Sequence, residues 1–383
     1  MSTIKEDPFN HGSRQHLSVR VLGYPDLNKT LVHRWAKLEQ IASESNAYLS
    51  PHFVLPALRR ITPESKPVFV FVEDDRENDL LGVGIFERSR GTKRLPLPHL
   101  RAYQCPHSYL TGLLIHRDWI KPVLASFFSF FCDPGNHWYG IEFINRYADT
   151  VQASLTDEIA SQFKIPWIGY SRKKRAVLIP KDSGPAYMEK HFSSKKKKFL
   201  RRCYRLLREA GAVRWRIVRG REIDRTCIDT FLRLEDMGWK AEEKTSLLRR
   251  RHDQFFREMI EGFARHGRAF FTELILGNKV IASTSNIISG NAGFAFKIGW
   301  DAEFARMSPG ILNEAEFIRN VPDLFPDLEY IDSGAEEGSF IENLWPDRHT
   351  LISGFYVTKK LSGTILNGLN TLRGIRDRAF NLR

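Results

Sequence analysis

The order of elements readable between residues 212 and 358 limits this chain more than any other feature. A strand over 212–218 leads to helices over 221–236 and 247–265. Three strands follow, over 269–276, 280–288 and 293–299, and Gly277-Asn278 between the first two is a hairpin signal. Ser308-Pro309-Gly310 then opens a helix reaching about residue 320. A strand over 328–332, a helix near 340–344 and a strand over 352–358 end the series. This β-α-α-β-β-β-α-β-α-β succession predicts an α/β (α+β) chain, a sheet flanked by helices.

The first half carries a degraded version of the same order. A strand over 16–22 precedes a helix over 27–43, with Val32, Trp35, Leu38 and Ile41 at helical spacing. Ser50-Pro51 caps a helix through residue 60. Runs over 67–73 and 80–87, split by the charged turn 74–79, predict a hairpin. A helix over 118–132, a strand over 138–144, a helix over 156–162 and a short strand pair over 167–170 and 176–179 follow. The turn cluster at 180–185 divides the chain into a flexible 1–15, a first domain over 16–182, a second over 183–362 and a basic tail over 363–383.

With 383 residues, 42% hydrophobic and 27% charged, the chain can bury two cores. Its most apolar runs, 68–72 and 123–132, fall short of the roughly 20 residues of a spanning helix. Residues 1–14 are polar and lack an apolar signal core, so a cytoplasmic location is expected. Cys105, Cys132, Cys203 and Cys227 form no CxxC pair, which argues against a zinc site or disulfide framework and leaves no metal expected. A net charge of +13 favours an acidic partner.

Three segments carry candidate chemistry. In the first, the strand Phe296-Lys297-Ile298-Gly299-Trp300-Asp301 runs through a loop into Ser308-Pro309-Gly310. Free N–H groups and the dipole at such a helix start suit phosphate, and Gly310 leaves room for close approach. The same residues also fit a plain Ser cap followed by Pro. The second is Leu234-Glu235-Asp236-Met237-Gly238-Trp239-Lys240, and the third is Tyr330-Ile331-Asp332-Ser333-Gly334-Ala335 with Trp345-Pro346-Asp347-Arg348 beyond it. Asp332 ends a strand, where active-site carboxylates of α/β sheets sit. It equally fits a buried hydrogen bond, and Glu235 a solvated helix face.

Taken in order, Tyr187, Lys195–Lys198, Arg201-Arg202, Leu234–Lys240, Lys297–Asp301, Ser308–Gly310, Ile331–Ala335 and Trp345–Arg348 resemble the CelD-like (cellulose-biosynthesis-type) branch of GNAT acyltransferases, relatives of the Fem peptidyltransferases. Two residues depart from that pattern: Trp300 stands where Tyr is usual and Gly334 where Cys is common, which rules out a cysteine nucleophile there. The resemblance implies tandem GNAT-like domains, each a mixed, mostly antiparallel sheet flanked by helices. It implies transfer of an acyl group from acyl-CoA or an acyl-carrier-protein thioester to an amine or hydroxyl. Glu235 and Asp332 are then the candidate bases, and Lys240 orients the acceptor or the acyl carbonyl. Lys297, Ser308, Pro309 and Gly310 become the donor site.

A basic helix is expected over 186–210, ending at Gly211. Phe192, Phe199, Cys203, Leu206 and Ala210 form its apolar stripe, and Arg201, Arg202 and Arg205 belong to its positive face. That face is either solvated or a docking site for an acidic carrier protein, a nucleotide phosphate or tRNA. The rival functions are a Fem-like transferase using aminoacyl-tRNA and a non-enzymatic nucleic-acid-binding protein. The first lacks a coiled-coil insertion and the second a recognised motif. His116-Arg117-Asp118 has Val123 where a kinase loop has Asn, and Gly82-Val83-Gly84 lies inside a strand.

Overall fold

The computed structural model describes residues 17–77, 79–237, 242–359, 363–366 and 368. In the first half, β1 (Leu17–Gly23), α1 (Lys29–Ile41) and α2 (Pro51–Arg60) precede β2 (Val68–Asp74), β3 (Asp79–Ser89), β4 (His99–Ala102) and β5 (Leu114–Ile115). Then come α3 (Ile120–Cys132), β6 (Ile141–Tyr147), α4 (Val151–Gln162) and β7 (Trp167–Leu178). The second half begins with α5 (Gly184–His191), α6 (Ser194–Ala210), β8 (Val213–Arg219), α7 (Arg225–Glu235) and α8 (Asp253–Ala264). It continues through β9 (Ala269–Leu276), β10 (Lys279–Ser289), β11 (Ala292–Trp300), α9 (Pro309–Leu324), β12 (Tyr330–Asp332) and β13 (Asp347–Tyr356).

All thirteen strands among the described residues join one sheet, ordered β1-β2-β3-β4-β6-β13-β7-β12-β11-β10-β9-β8, with β5 against β3. The two ends of that order repeat each other. β1 through β4 pair antiparallel in turn, and β4 pairs parallel with β6. β8 through β11 do the same, and β11 pairs parallel with β12. The tandem arrangement is therefore built into the backbone pairing. At the centre the halves exchange strands: β13, from the end of the chain, pairs with β6, while β7 crosses to β12. β7 and β13 pair antiparallel with each other from Trp167↔Tyr356 to Val177↔Asp347.

The core follows the sheet across both halves. Trp35, Phe53 and Phe69 share a cluster with Phe231, Phe255 and Phe294, and the Tyr48 ring stands 5.7 Å from Phe294. On the opposite face Leu200, Leu207, Phe317 and Trp345 pack under α6 and α9, and Phe127 and Phe131 of α3 fill the first half's end.

Three local expectations change. The strand pair over 167–170 and 176–179 is one strand, because the charged run between them pairs along β13 instead of turning. The helix over 186–210 breaks at Phe192-Ser193, where the Ser193 hydroxyl accepts the Lys196 N–H at 3.2 Å and starts α6 afresh. Its buried stripe is Leu200, Cys203 and Leu207, while Phe199 is 39% exposed. The predicted end of α7 at Gly238, the segment 1–16 and most of the basic tail lie outside the described residues.

Candidate functional site: a gap between two parallel strands

β11 and β12 pair only at Ala292↔Tyr330, Gly293↔Ile331 and Phe294↔Asp332. β12 then stops and β11 runs on to Trp300. The sheet opens there, leaving the edge of β11 beside the loop from Ser333. Gly334 turns that loop at φ +63°, and a Cβ on it would meet the Ala295 carbonyl oxygen and Tyr109 Cδ2, each at 2.9 Å. A side chain of any size is therefore strained at this position.

The gap leads toward the start of α9. Ser308 stands at φ 49°, ψ 55°, a left-handed conformation costly for a non-glycine residue. Its side chain makes no cap hydrogen bond; the hydroxyl lies against the Cys203 thiol of α6. Pro309 brings no N–H, and the first bond back to the turn is Leu312 N–H to the Ser308 carbonyl at 3.1 Å. The N–H groups of the first helical turn therefore stay available, as at any helix start. Gly310 is buried, and its place is filled from within: a Cβ would stand 3.2 Å from Trp300 Cδ1 and 3.3 Å from Ile298 Cδ1. So Trp300 packs on the turn itself.

The candidate carboxylates are both engaged. Asp332 is 0% exposed. Its Oδ2 accepts from Tyr147 Oη at 2.7 Å, its Oδ1 from Gly334 N–H at 2.7 Å, and Arg175 Nη1 lies 3.6 Å away. Glu235 is 1% exposed, and its Oε2 accepts the Leu247 N–H at 2.8 Å, holding the segment before α8. The end of α7 presses on β11, because a Cβ on Gly299 would sit 2.5 Å from Glu235 N. The Leu234-Glu235 end of α7 and the Gly299 stretch of β11 thus meet. Lys240 lies outside the described residues.

Lys297 is one of the candidate donor-binding residues. Its ammonium reaches Tyr109, donating to the phenol oxygen at 3.3 Å. Tyr109 belongs to a first-half loop that also brings His107, whose Nε2 is 2.9 Å from His252 Nδ1. Burial, followed by Lys297, His252 and Arg250, pushes His107 down to about 2, so it is neutral. Nothing local in the sequence marks this constellation; it joins residues 145 apart. The buried Glu314 of α9 was also missed. It accepts from Thr284 Oγ1 at 2.6 Å, and burial raises its carboxyl to about 7 against that hydrogen bond.

The equivalent gap in the first half, between β4 and β6, is filled by that same loop. Thr111 Oγ1 donates to the Ile144 carbonyl at 2.7 Å and accepts the Ile144 N–H at 3.1 Å. Around the second-half gap α6 brings cations. Arg205 pairs with Glu209 and Lys197 with Glu189, whereas Lys195, Lys198, Arg201 and Arg202 make no ion pair among the described residues. No described helix is long and apolar enough to cross a membrane.

Comparison with known proteins agrees with this geometry. Residues 194–338 match the model of the acetyltransferase (GNAT) domain family. No curated protein sequence matches the chain. Among solved structures, FemX aligns with a TM-score of 0.57 at 9% identity, over 88% of this chain and 98% of its own. A conserved Bacteroides thetaiotaomicron protein of unknown function aligns with a TM-score of 0.53 at 11% identity, over 86% and 98%. The C-terminal domain of an Agrobacterium fabrum protein named as a lysylphosphatidylglycerol synthetase gives 0.53 at 8% identity, over 89% and 95%. At such identities the likeness is one of fold. Residues 194–338 thus match an acetyltransferase (GNAT) domain and sit in a sheet whose strand pattern the first half of the chain repeats.

Proposed function

We propose that the chain transfers an acyl group from a thioester of coenzyme A or an acyl carrier protein to an amine, and less readily to a hydroxyl, by direct attack. The observation that carries this reading is the β11–β12 gap ending at the first turn of α9. A pantetheine arm laid along the open edge of β11 would leave its phosphates at the Gly310 and Ile311 N–H groups, where backbone donors and the helix dipole favour anions. Arg202 is near enough to act on the Cys203 thiol beside Ser308, so it would add charge to the same end. A β11 N–H freed by the gap would stabilise the oxyanion, and fixed geometry supplies much of the rate.

Glu235 and Asp332 hold the gap in this reading. Each already accepts a hydrogen bond that proton uptake would disturb, so we assign them positioning roles. Lys240 remains a candidate for orienting the acceptor. The filled first-half gap supports one donor per chain. The order of motifs supports the CelD-like branch, and a coenzyme A donor with four free thiols supports action in the cytoplasm.

The unpaired cations of α6 favour a second reading, aminoacyl transfer from tRNA. Calorimetric titration with acetyl-CoA, acetyl-carrier protein and aminoacyl-tRNA separates the two. Saturable acetyl-CoA or carrier-protein binding at one site per chain is expected. Binding of the charged tRNA alone selects the second reading, and binding of none defeats both.

A further inference from the structure

Lys297 is half-buried, yet the only described oxygen its ammonium reaches is the Tyr109 phenol at 3.3 Å, with the Phe296 ring 5.6 Å away. No carboxylate pairs with it among the described residues. Enclosing a cation without a counter-charge is unfavourable, and proteins ordinarily supply a carboxylate. Here the chain supplies imidazoles. His107 is 2% exposed, stacked 5.5 Å from Phe255, and bonded through Nε2 to His252. Its Nδ1 is buried and finds no partner among the described residues. Burial first, then Arg250 and Lys297, lower His252. Arg250 is exposed and makes no ion pair among the described residues. The carboxylate facing His252 is Asp253, which is itself 4.0 Å from Arg257. Two cations and two imidazoles whose charging burial opposes therefore face one another beside the gap, with Asp253 the carboxylate that acts on them among the described residues.

We propose that Lys297 and Arg250, with the His107–His252 pair beside them, seat an anionic group of the acceptor: a carboxylate or phosphate carried by the same molecule as the reacting amine. The site lies where the first-half loop closes on β11, so both halves build it. This assignment rests on the acyl-transfer reading, and it gives the acceptor a chemical class, an amine bearing an oxyanion. The bound anion replaces the missing counter-charge of Lys297. By stabilising the imidazolium form, it also raises His252 toward its ordinary range, which suits the pair to accept the amine's proton.

The test uses the full chain with and without coenzyme A, titrated with N-acetylglycine, methyl phosphate and the neutral N-acetylglycinamide. At least one oxyanion should bind saturably and the amide should not; whichever binds names the source. Lys297→Met should weaken that binding by about tenfold or more, as loss of a charge-assisted bond does. Lys297→Arg should largely restore it, and Arg250→Gln should weaken it while the fold is unaffected at so exposed a position. In a histidine-labelled NMR titration the anion should raise the His252 midpoint. The proposal is overturned if neither oxyanion binds, if the amide binds equally, or if Lys297→Met leaves anion affinity unchanged. It is also overturned if Lys297→Met loses coenzyme A instead, which would put Lys297 at the donor. Failure of the acyl-transfer reading appears separately, as absence of coenzyme A binding to the unaltered chain.

Discussion

Gly310 offers the sharpest test of where the donor phosphates lie. The atoms nearest an added Cβ are Trp300 Cδ1 at 3.2 Å and Ile298 Cδ1 at 3.3 Å, both on side chains that can shift by a few tenths of an ångström. Gly310→Ala also gains about 1 kcal/mol of helix propensity, so its stability should stay near that of the unaltered chain. Gly310→Asp adds a carboxylate at a buried position, costing about 1–3 kcal/mol for desolvation, partly offset by about 0.5 kcal/mol from the helix dipole. If a phosphate charge lies roughly 5 Å from that carboxylate, repulsion at an effective dielectric near 20 amounts to about 3 kcal/mol, over a hundredfold in affinity. Gly310→Asn carries the same bulk without the charge. Calorimetry with coenzyme A should therefore rank the unaltered chain and Ala above Asn, and Asn well above Asp, while scanning calorimetry confirms that each is folded. Equal coenzyme A affinity in folded Asp and Asn variants would refute a phosphate at this turn.

Gly299→Ala sets a Cβ 2.5 Å from Glu235 N and 2.7 Å from the Leu234 carbonyl carbon, backbone atoms that cannot yield locally. A loss of about 3 kcal/mol is expected in urea unfolding, and an unchanged midpoint would contradict the contact. Glu314 binds protons more tightly folded than unfolded, since its carboxyl is raised from 4.5 to about 7. Its contribution is fully present below pH 4.5 and falls as pH rises to 7, by about 3 kcal/mol. Glu314→Gln should flatten that part of the profile and raise Tm at pH 8 relative to the unaltered chain; parallel profiles would exclude it. On α6, replacing Arg201, Arg202 and Arg205 by Ser should leave Tm nearly unchanged and reduce the salt dependence of carrier-protein or tRNA binding. Identical affinities from about 50 to 300 mM salt in both proteins would identify a solvated face.

What the sequence showed and what it hid have physical reasons. β9, β10 and β11 were legible because their apolar runs and the Gly277-Asn278 turn are local signals. The break at Ser193 was also local, an N-cap hidden by the basic residues that continue past it. β7 was not legible, because the charged run that looks like a turn is stabilised by partners far along the chain: Arg172 faces Ile352 in the ladder, and Arg175 reaches Asp332. Ser308 was found as a helix start, but its left-handed backbone and its contact with Cys203 depend on α6 packing there. The Tyr109–Lys297 and His107–His252 contacts join residues whose neighbourhood only the folded sheet creates.

The strand exchange suggests why a first half with a filled gap still matters. Asp332 closes the paired part of β12, yet its closest side-chain partners, Tyr147 and Arg175, come from β6 and β7. Arg175 also donates from Nε to the Ala335 carbonyl at 3.2 Å, fixing the loop beyond Gly334. Tyr109 packs against that glycine from the other side. The width of the second-half gap is thus set by residues before the turn cluster at 180–185. One sheet carries strands from both sides of that turn cluster. Removing the first half would strip Asp332 of its cation and phenol, and β12 of its β7 partner, at the strand that defines the gap. In this architecture the first half acts on the second as a brace, and the loop that fills its own gap is the same one that presents Tyr109 and His107 to the other.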